Sequence, residues 1–187
     1  MTRTLATIAV STRPGRIGIH VARWMQGVAE SHGGFDSRLV DLAEVGLPIY
    51  DEPKHPRLRD YANEHTRRWS AIVAAADAFV FVCPEYNFSP SPALVNALDY
   101  LYHEWGYKPA GFVSYGGISG GLRAVQTTKL MLTSLKMVPL NEAVVIPFVA
   151  GQVTDGTFTP NEAQAKAAPE MLDALVRWSD ALKVLRP

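Results

Sequence analysis

Short apolar runs alternate along the chain with longer stretches in which apolar residues return every three or four positions. Leu5 to Val10 is a β-branched-rich run that stops at the loop Ser11-Thr-Arg-Pro-Gly. Ile17, Val21, Trp24, Met25 and Val28 follow at helical spacing, and Gly33-Gly34 ends that helix. Ser37 to Leu42 reads as a second strand, with a proline- and charge-rich loop from Ala43 to Pro56 behind it. Residues 58–76 predict a second helix with Tyr61, His65, Trp69, Ile72 and Val73 along one side. Ala78 to Cys83 is apolar at every position, as a strand covered on both faces requires. Ser91-Pro92 has the chemistry of a helix start, Ser as cap and Pro in the first turn, and Leu94, Leu98 and Leu101 give that helix its apolar side. Ala110 to Tyr115 is a fourth strand, Leu122 to Leu135 a helix, and Ala143 to Val149 a fifth strand. Asp155-Gly156 signals a turn. Thr159-Pro-Asn-Glu162 has capping-box spacing and opens a last helix, which Pro169 is expected to kink.

Five strands alternating with five helices predict a single α/β domain over residues 1–187. The expected fold is a doubly wound five-stranded parallel sheet between two helical layers, a three-layer α/β/α arrangement joined by right-handed crossovers. Such sheets bind ligands outside the carboxyl ends of their strands, where the strand order reverses. The loops after strands one, three and four are therefore the places to look for chemistry.

Composition narrows the class. Of 187 residues, 48% are hydrophobic and 19% charged, which fits a packed protein rather than a disordered one. Eighteen basic residues balance eighteen acidic ones, so nothing pulls the chain toward nucleic acid or anionic membrane. The one cysteine, Cys83, forms no internal disulfide and reads as a buried, inert thiol. No apolar run approaches the roughly 20 residues that span a bilayer, and the amino terminus lacks a signal core, so no membrane insertion and a cytoplasmic location are expected. The five histidines form no ligand-spaced pair, which argues against a metal site.

The first loop carries Ser11, Thr12, Arg13, Gly15 and Arg16 directly before a helix beginning near Ile17 and Gly18. Hydroxyls, guanidinium groups and the free N–H groups of a helix start suit a phosphate monoester, though an ordinary cap with solvated arginines has the same composition. It is neither a Walker A loop nor a Gly-x-Gly-x-x-Gly turn. The second loop, Pro84-Glu-Tyr-Asn-Phe-Ser-Pro-Ser-Pro92, is stiffened by proline and presents amide, phenol and aromatic surface. That suits a flat heteroaromatic ring, and equally a rigid surface turn. The third loop has four glycines between Gly116 and Gly121, so backbone can approach a ligand closely; a flexible connection is the alternative.

Taken together, Ser11-Thr-Arg-Pro-Gly-Arg, Pro84-Glu-Tyr-Asn-Phe-Ser-x-Ser-Pro-x-Leu-x-Asn-x-Leu-Asp-Tyr100 and Ser114-Tyr-Gly-Gly-x-Ser-Gly-Gly121 resemble the NAD(P)H-dependent FMN reductase family. That family is flavodoxin-like and includes quinone, azo-dye and chromate reductases. The resemblance runs from strand one to about Leu135; Val10 departs from the glycine that usually precedes the first serine. It implies that Ser11, Arg13 and Arg16, with backbone at Ile17 and Gly18, hold the FMN phosphate. Pro84, Glu85, Tyr86 and Asn87 would line the ribityl chain and ring, largely through backbone. Ser114, Gly116, Gly117 and Ser119 would close the ring pocket. NADPH or NADH would be the donor, and a quinone, azo compound, free flavin or similar small molecule the acceptor. No catalytic side chain is required, because the cofactor carries the chemistry.

Two rival functions share the fold: an electron carrier like flavodoxin, disfavoured by the balanced charge, and a flavin-dependent redox sensor. The aromatic residues Tyr100, Tyr102, Trp105 and Tyr107 read as an exposed cluster and hence as a homodimer or homotetramer contact. Asn96 and Asp99 share a helix side, either a solvated face or a subunit contact. Arg67-Arg68 reads as a solvated helix face.

Overall fold

The computed structural model describes residues 3–186; Met1, Thr2 and Pro187, the ends of the single domain expected over 1–187, lie outside the described residues. Strands β1 (Thr4–Ala9), β2 (Asp36–Asp41), β3 (Ala78–Pro84), β4 (Pro109–Tyr115) and β5 (Val138–Ile146) pair in parallel in the order β2-β1-β3-β4-β5. Every residue of β3 and β4 is buried, as the unbroken apolar runs require of central strands. The order reverses at β1, whose neighbours β2 and β3 lead away in opposite directions.

Helices α1 (Gly18–His32) and α6 (Glu162–Lys183) cover one face, packing Val21, Met25, Met171 and Leu175 on Val80, Val82 and Val113. The other face is covered by α3 (Glu64–Ala75), α4 (Pro92–Asp99) and α5 (Leu122–Ser134). There Trp69, Leu94, Leu98 and Leu132 meet Phe79, Phe81 and Phe112. The α4 start follows the sequence: the Ser91 hydroxyl accepts the Leu94 N–H at 3.3 Å, with Pro92 in the first turn.

Several boundaries differ from the expectation. A short helix, α2 (Leu42–Val45), follows β2 and is capped by Asp41, whose carboxylate accepts the Ala43 N–H at 3.0 Å. The second long helix starts at Glu64 rather than 58. Residues 56–58 form one 3-10 turn that Arg59 stops with a left-handed backbone (φ 53°), and Glu52 then accepts the N–H groups of Ala62 (2.8 Å) and Asn63 (3.0 Å). Strand β5 begins well before Ala143 because it is a sheet edge, where Pro139 costs no ladder bond, and its register shifts opposite Gly111. It ends at Ile146, short of Val149, since Phe148 turns the chain at φ 49°.

Asp155 (φ 49°) and Gly156 (φ 75°) form the expected turn between β6 (Val153–Thr154) and β7 (Thr157–Phe158). The Thr159 N–H still bonds Gln152 O at 2.9 Å, which keeps Thr159 in that hairpin. The capping box is therefore Asn161 with Gln164, and α6 runs through Pro169 without ending.

The aromatic cluster is a correction. Tyr100 and Trp105 are both 0% exposed, because a 3-10 turn at residues 103–105 tucks the Trp105 ring beneath α3, 5.1 Å from Phe79 and 5.9 Å from Trp69. These rings are core. Asn96 is half-buried and bonded within the chain, accepting the Tyr50 N–H at 2.8 Å and donating to Pro48 O at 2.7 Å, while Asp99 is exposed. Cys83 is buried, and burial pushes its thiol up, away from thiolate chemistry.

Candidate functional site

Strands β1, β3 and β4 deliver their three loops to one rim of the sheet, on either side of the reversal point. Ser11, Arg13 and Ile17 from the first loop, Pro84, Glu85 and Tyr86 from the second, and Gly116 from the third line one cleft. Tyr115 and Val149 complete its wall. Its enclosed part is about 150 Å³, below the 300–1,000 Å³ typical of small-molecule pockets, so a mononucleotide would lie mostly along the open rim. A groove of about 210 Å³ between α2 and α4 takes Thr12 of the first loop but no residue of the other two. Two larger grooves, about 600 and 790 Å³, lie elsewhere: one between β2 and α3, the other at the opposite end of the sheet. Neither receives any of the three loops, and neither faces the carboxyl ends of β1, β3 and β4.

At the α1 end, the His20 N–H bonds Ile17 O at 3.0 Å, while the Gly18 and Ile19 N–H groups have no intrahelical acceptor and no side chain caps them. The Ser11 hydroxyl is 2.8 Å from the Tyr86 hydroxyl. Arg13 is exposed and makes no ion pair or side-chain hydrogen bond among the described residues. Arg16 does not reach the cleft. It pairs with Asp41, which is 5% exposed at the side chain and needs a cation beside it. The Tyr115 hydroxyl lies directly against the Gly18 Cα: a Cβ there would sit 2.0 Å from that oxygen. Burial holds the Tyr115 phenol well above its ordinary range, so it remains a neutral donor.

At the other end, Tyr86 and Ser89 exchange backbone hydrogen bonds of 3.0 and 2.9 Å around Asn87 (φ 50°) and Phe88 (φ 67°). Two successive positive φ angles mark a type I′ turn; Asn tolerates this conformation, whereas Phe is strained in it. Glu85 turns away from the cleft. It accepts from the Ser119 hydroxyl (2.9 Å), the Arg123 N–H (3.1 Å) and Arg123 Nε (2.6 Å). Burial alone would raise its carboxyl, but these donors outweigh burial and hold it below the usual carboxylate range.

The four glycines of the third loop divide by role. Gly120 and Gly121 have positive φ, and a Cβ would meet Val145 at 2.5 Å or Tyr115 N at 2.9 Å, so the fold demands them. Gly117 has nothing within 4 Å of its missing Cβ and leaves open space beside the cleft. Ser114 is not on the lining. Val113 and Tyr115 face the α1–α6 layer, so strand alternation turns Ser114 to the opposite layer, where it is 1% exposed and its hydroxyl has no partner. Sequence reasoning missed Tyr115 and Val149. Tyr115 was legible as the last residue of an alternating strand; Val149 reaches the cleft only through the turn at Phe148, for which the sequence has no signal.

A parallel sheet of this order, with mononucleotide-sized chemistry at its reversal point, defines a flavodoxin-like protein. The family model for NADPH-dependent FMN reductase matches residues 4–151, and the chain belongs to that family. It is an FMN-dependent oxidoreductase that takes electrons from NAD(P)H. The chain is 32% identical to the NAD(P)H-dependent FMN reductase ntnL of Nectria sp, over 97% of this chain and 96% of that one. It is 34% identical to the NAD(P)H-dependent FMN reductase C4B3.06c of Schizosaccharomyces pombe, covering 96% and 90% respectively. Among solved structures, FerB from Paracoccus denitrificans, a flavoenzyme NAD(P)H:(acceptor) oxidoreductase, superposes with a TM-score of 0.74 at 26% identity, covering 96% of this chain and 98% of that one.

Proposed function

We propose that this chain holds FMN in the cleft of the three loops and moves a hydride from NAD(P)H to a small planar acceptor of the quinone class. The phosphate would be bound by the Ser11 hydroxyl, the first-turn N–H groups of α1 at Gly18 and Ile19, and the unpaired Arg13. Arg16 would shape the loop through Asp41 instead of meeting the phosphate. Backbone at Pro84–Asn87 and at Gly116–Gly117 would border the ring, with Tyr115 and Val149 behind it. The observation that carries this reading is the coincidence, on one rim, of an uncapped helix start beside an unpaired arginine with an open glycine surface at Gly117.

When bound, the isoalloxazine supplies the redox chemistry, taking the hydride from NAD(P)H and giving it to the acceptor. Quinone reduction then consumes NAD(P)H and one proton and yields NAD(P)+ and hydroquinone. The open rim lets water deliver that proton, so no side-chain acid is needed. The protein's part is orientation: reacting atoms must come within about 3–3.5 Å, and the stiff turns at both ends of the cleft fix the floor on which that approach occurs.

Among the described residues no helix is long and apolar enough to cross a membrane. With the balanced charge, this supports a cytoplasmic protein acting as one domain. Exposed Phe88, Ile118 and Phe148, at 64%, 81% and 65%, crowd the cleft rim and support a homodimer or homotetramer that covers it.

The test is the visible spectrum of the purified protein, then anaerobic titration with NADH and NADPH and turnover with a benzoquinone. Flavin bands that bleach with nicotinamide and return with quinone are expected. A protein that neither carries nor takes up FMN at 100 μM, or whose bound flavin no nicotinamide reduces, overturns the reading.

A further inference from the structure

The two loops that flank the ring end of the cleft are joined by side chains, and the joint is built from Glu85 and Arg123. Glu85 leaves β3 at the head of the second loop. Its carboxylate bridges to the third loop through the Ser119 hydroxyl and to the first turn of α5 through the Arg123 N–H, while the Arg123 guanidinium pairs with it from the solvent side. The carboxylate side chain is only 6% exposed, so this contact lies beneath the rim. Arg123 then extends past Glu85 and lies over the Phe88 ring, 3.7 Å from its centroid. Phe88 is the strained residue of the Tyr86–Ser89 turn. A single guanidinium therefore holds both the root of the second loop, at Glu85, and its tip, at Phe88.

The strain matters because, among the described residues, no other side-chain hydrogen bond or ion pair reaches the turn tip. Asn87, Phe88 and Ser89 are exposed, and the turn's own bonds are the one pair between Tyr86 and Ser89. A left-handed Phe is strained and persists only where its surroundings hold it. Beyond the turn's own backbone pair, it is held by the Arg123 stack and the ion pair behind it. We propose that the Glu85–Arg123 pair is a latch that keeps the second loop closed against the third, and that it sets how long FMN stays in the cleft. Both are positioning residues: neither side chain lines the ring surface, and each acts through Phe88, Ser119 and the loop backbone. The latch makes the flavin a retained cofactor; without it, FMN exchanges as a substrate does.

This inference rests on the assignment of the cleft to FMN, and the experiment separates the two. FMN dissociation is followed by flavin fluorescence after mixing holoprotein with an excess of a flavin-binding apoprotein as trap. The proteins are wild type, Arg123→Gln, Arg123→Lys, Glu85→Gln, the Glu85→Gln/Arg123→Gln double variant, and Arg67→Gln as a control on exposed α3. Arg123→Gln and Glu85→Gln should each release FMN at least 10-fold faster, with association within about twofold of wild type. The double variant should be no faster than the worse single, because both members act as one unit. Arg123→Lys keeps the charge but loses the planar stack and the bidentate grip, so it should fall between. Arg67→Gln should match wild type. Thermal unfolding of the apoproteins checks that the variants fold. If either one does not, release from Arg123→Lys and from Phe88→Ala, which removes the stack but leaves the ion pair, decides the matter: both should exceed wild type. Equal release from wild type and all variants overturns the latch while leaving FMN binding intact, as do losses that simply add. Failure of wild type to bind FMN overturns the site itself.

Discussion

Arg16 reaches back from the first loop to pair with Asp41, the residue that also caps α2. One carboxylate thus anchors the loop and starts the next element. This separates the two arginines of that loop: Arg16 is paired with Asp41, and Arg13 has no side-chain partner among the described residues.

The separation predicts opposite phenotypes. A hydrogen bond to a charged group contributes about 1.5–3 kcal/mol, so Arg13→Gln should weaken FMN binding 10-fold or more while leaving riboflavin affinity and thermal stability nearly unchanged. Asp41→Asn should instead lower stability by about 1–3 kcal/mol, because it strands a largely buried guanidinium. Fluorescence titration with both flavins, beside thermal melts, checks this. Equal losses for FMN and riboflavin in Arg13→Gln would remove Arg13 from the phosphate.

Gly18 and Tyr115 meet too closely to admit a methyl group. A Cβ at residue 18 would lie 2.0 Å from the Tyr115 hydroxyl and 2.8 Å from Cζ. Gly18→Ala should therefore displace the phenol and cost about 1–3 kcal/mol, the usual penalty for overpacking. Adding Tyr115→Phe removes the nearer atom and should recover part of the loss. A double-variant cycle of apoprotein melts measures it; strictly additive effects would mean that the two residues do not touch.

Asn96 predicts a local effect. Its amide holds Tyr50 N–H and Pro48 O and ties α4 to the loop after α2, beside the Tyr100 hydroxyl, which donates to Pro48 O (3.2 Å) and Asp51 Oδ1 (2.9 Å). Asn96→Ala should raise amide exchange at Tyr50 and its neighbours by at least 10-fold. Protection in β3 should be unchanged, since local opening need not involve the core. Unchanged exchange at Tyr50 would show that other contacts hold the loop.

The sequence was most readable where one local rule acted alone. The apolar runs of β3 and β4, the Ser91-Pro92 helix start and the Asp155-Gly156 turn each appear where their own residues predict them, and the two strands, with β1, set the three loops on one rim. It was least readable where two candidates competed or a distant partner decided. Thr159 and Asn161 both fit a cap, and only the bond from Thr159 N–H to Gln152 O excludes the first. Arg16, expected at the phosphate, also pairs with Asp41, 25 residues later, a contact that no local pattern shows. Trp105 looked like surface because its burial depends on Trp69 and Phe79, which no local pattern connects to it. In the candidate site, backbone-borne features were foreseen and side-chain directions were not: strand alternation turned Ser114 inward and Tyr115 toward α1.

Lys108 carries the pH prediction. It is 7% exposed and donates to Val73 O (2.8 Å) and Ala74 O (3.1 Å) at the end of α3. Burial, with the nearby Arg186 charge, brings its ammonium down to about 8 from the ordinary 10.5. Below pH 8 the ammonium is present in both folded and unfolded chains, and its desolvation costs the folded state fully. Between about pH 8 and 10.5 the unfolded chain binds the proton and the folded chain does not, so stability from this group rises with pH. From pH 7 to 9.5 the gain is about 2 kcal/mol. Lys108→Met has no such group, while every other titration is shared with wild type. The melting temperature of wild type minus that of Lys108→Met should therefore increase by roughly 4–8 °C between pH 7 and pH 9.5. A flat difference would mean that Lys108 keeps its proton in the folded protein, held by the α3 carbonyls strongly enough to cancel its burial. A falling difference would mean that those carbonyls favour the ammonium beyond what water does.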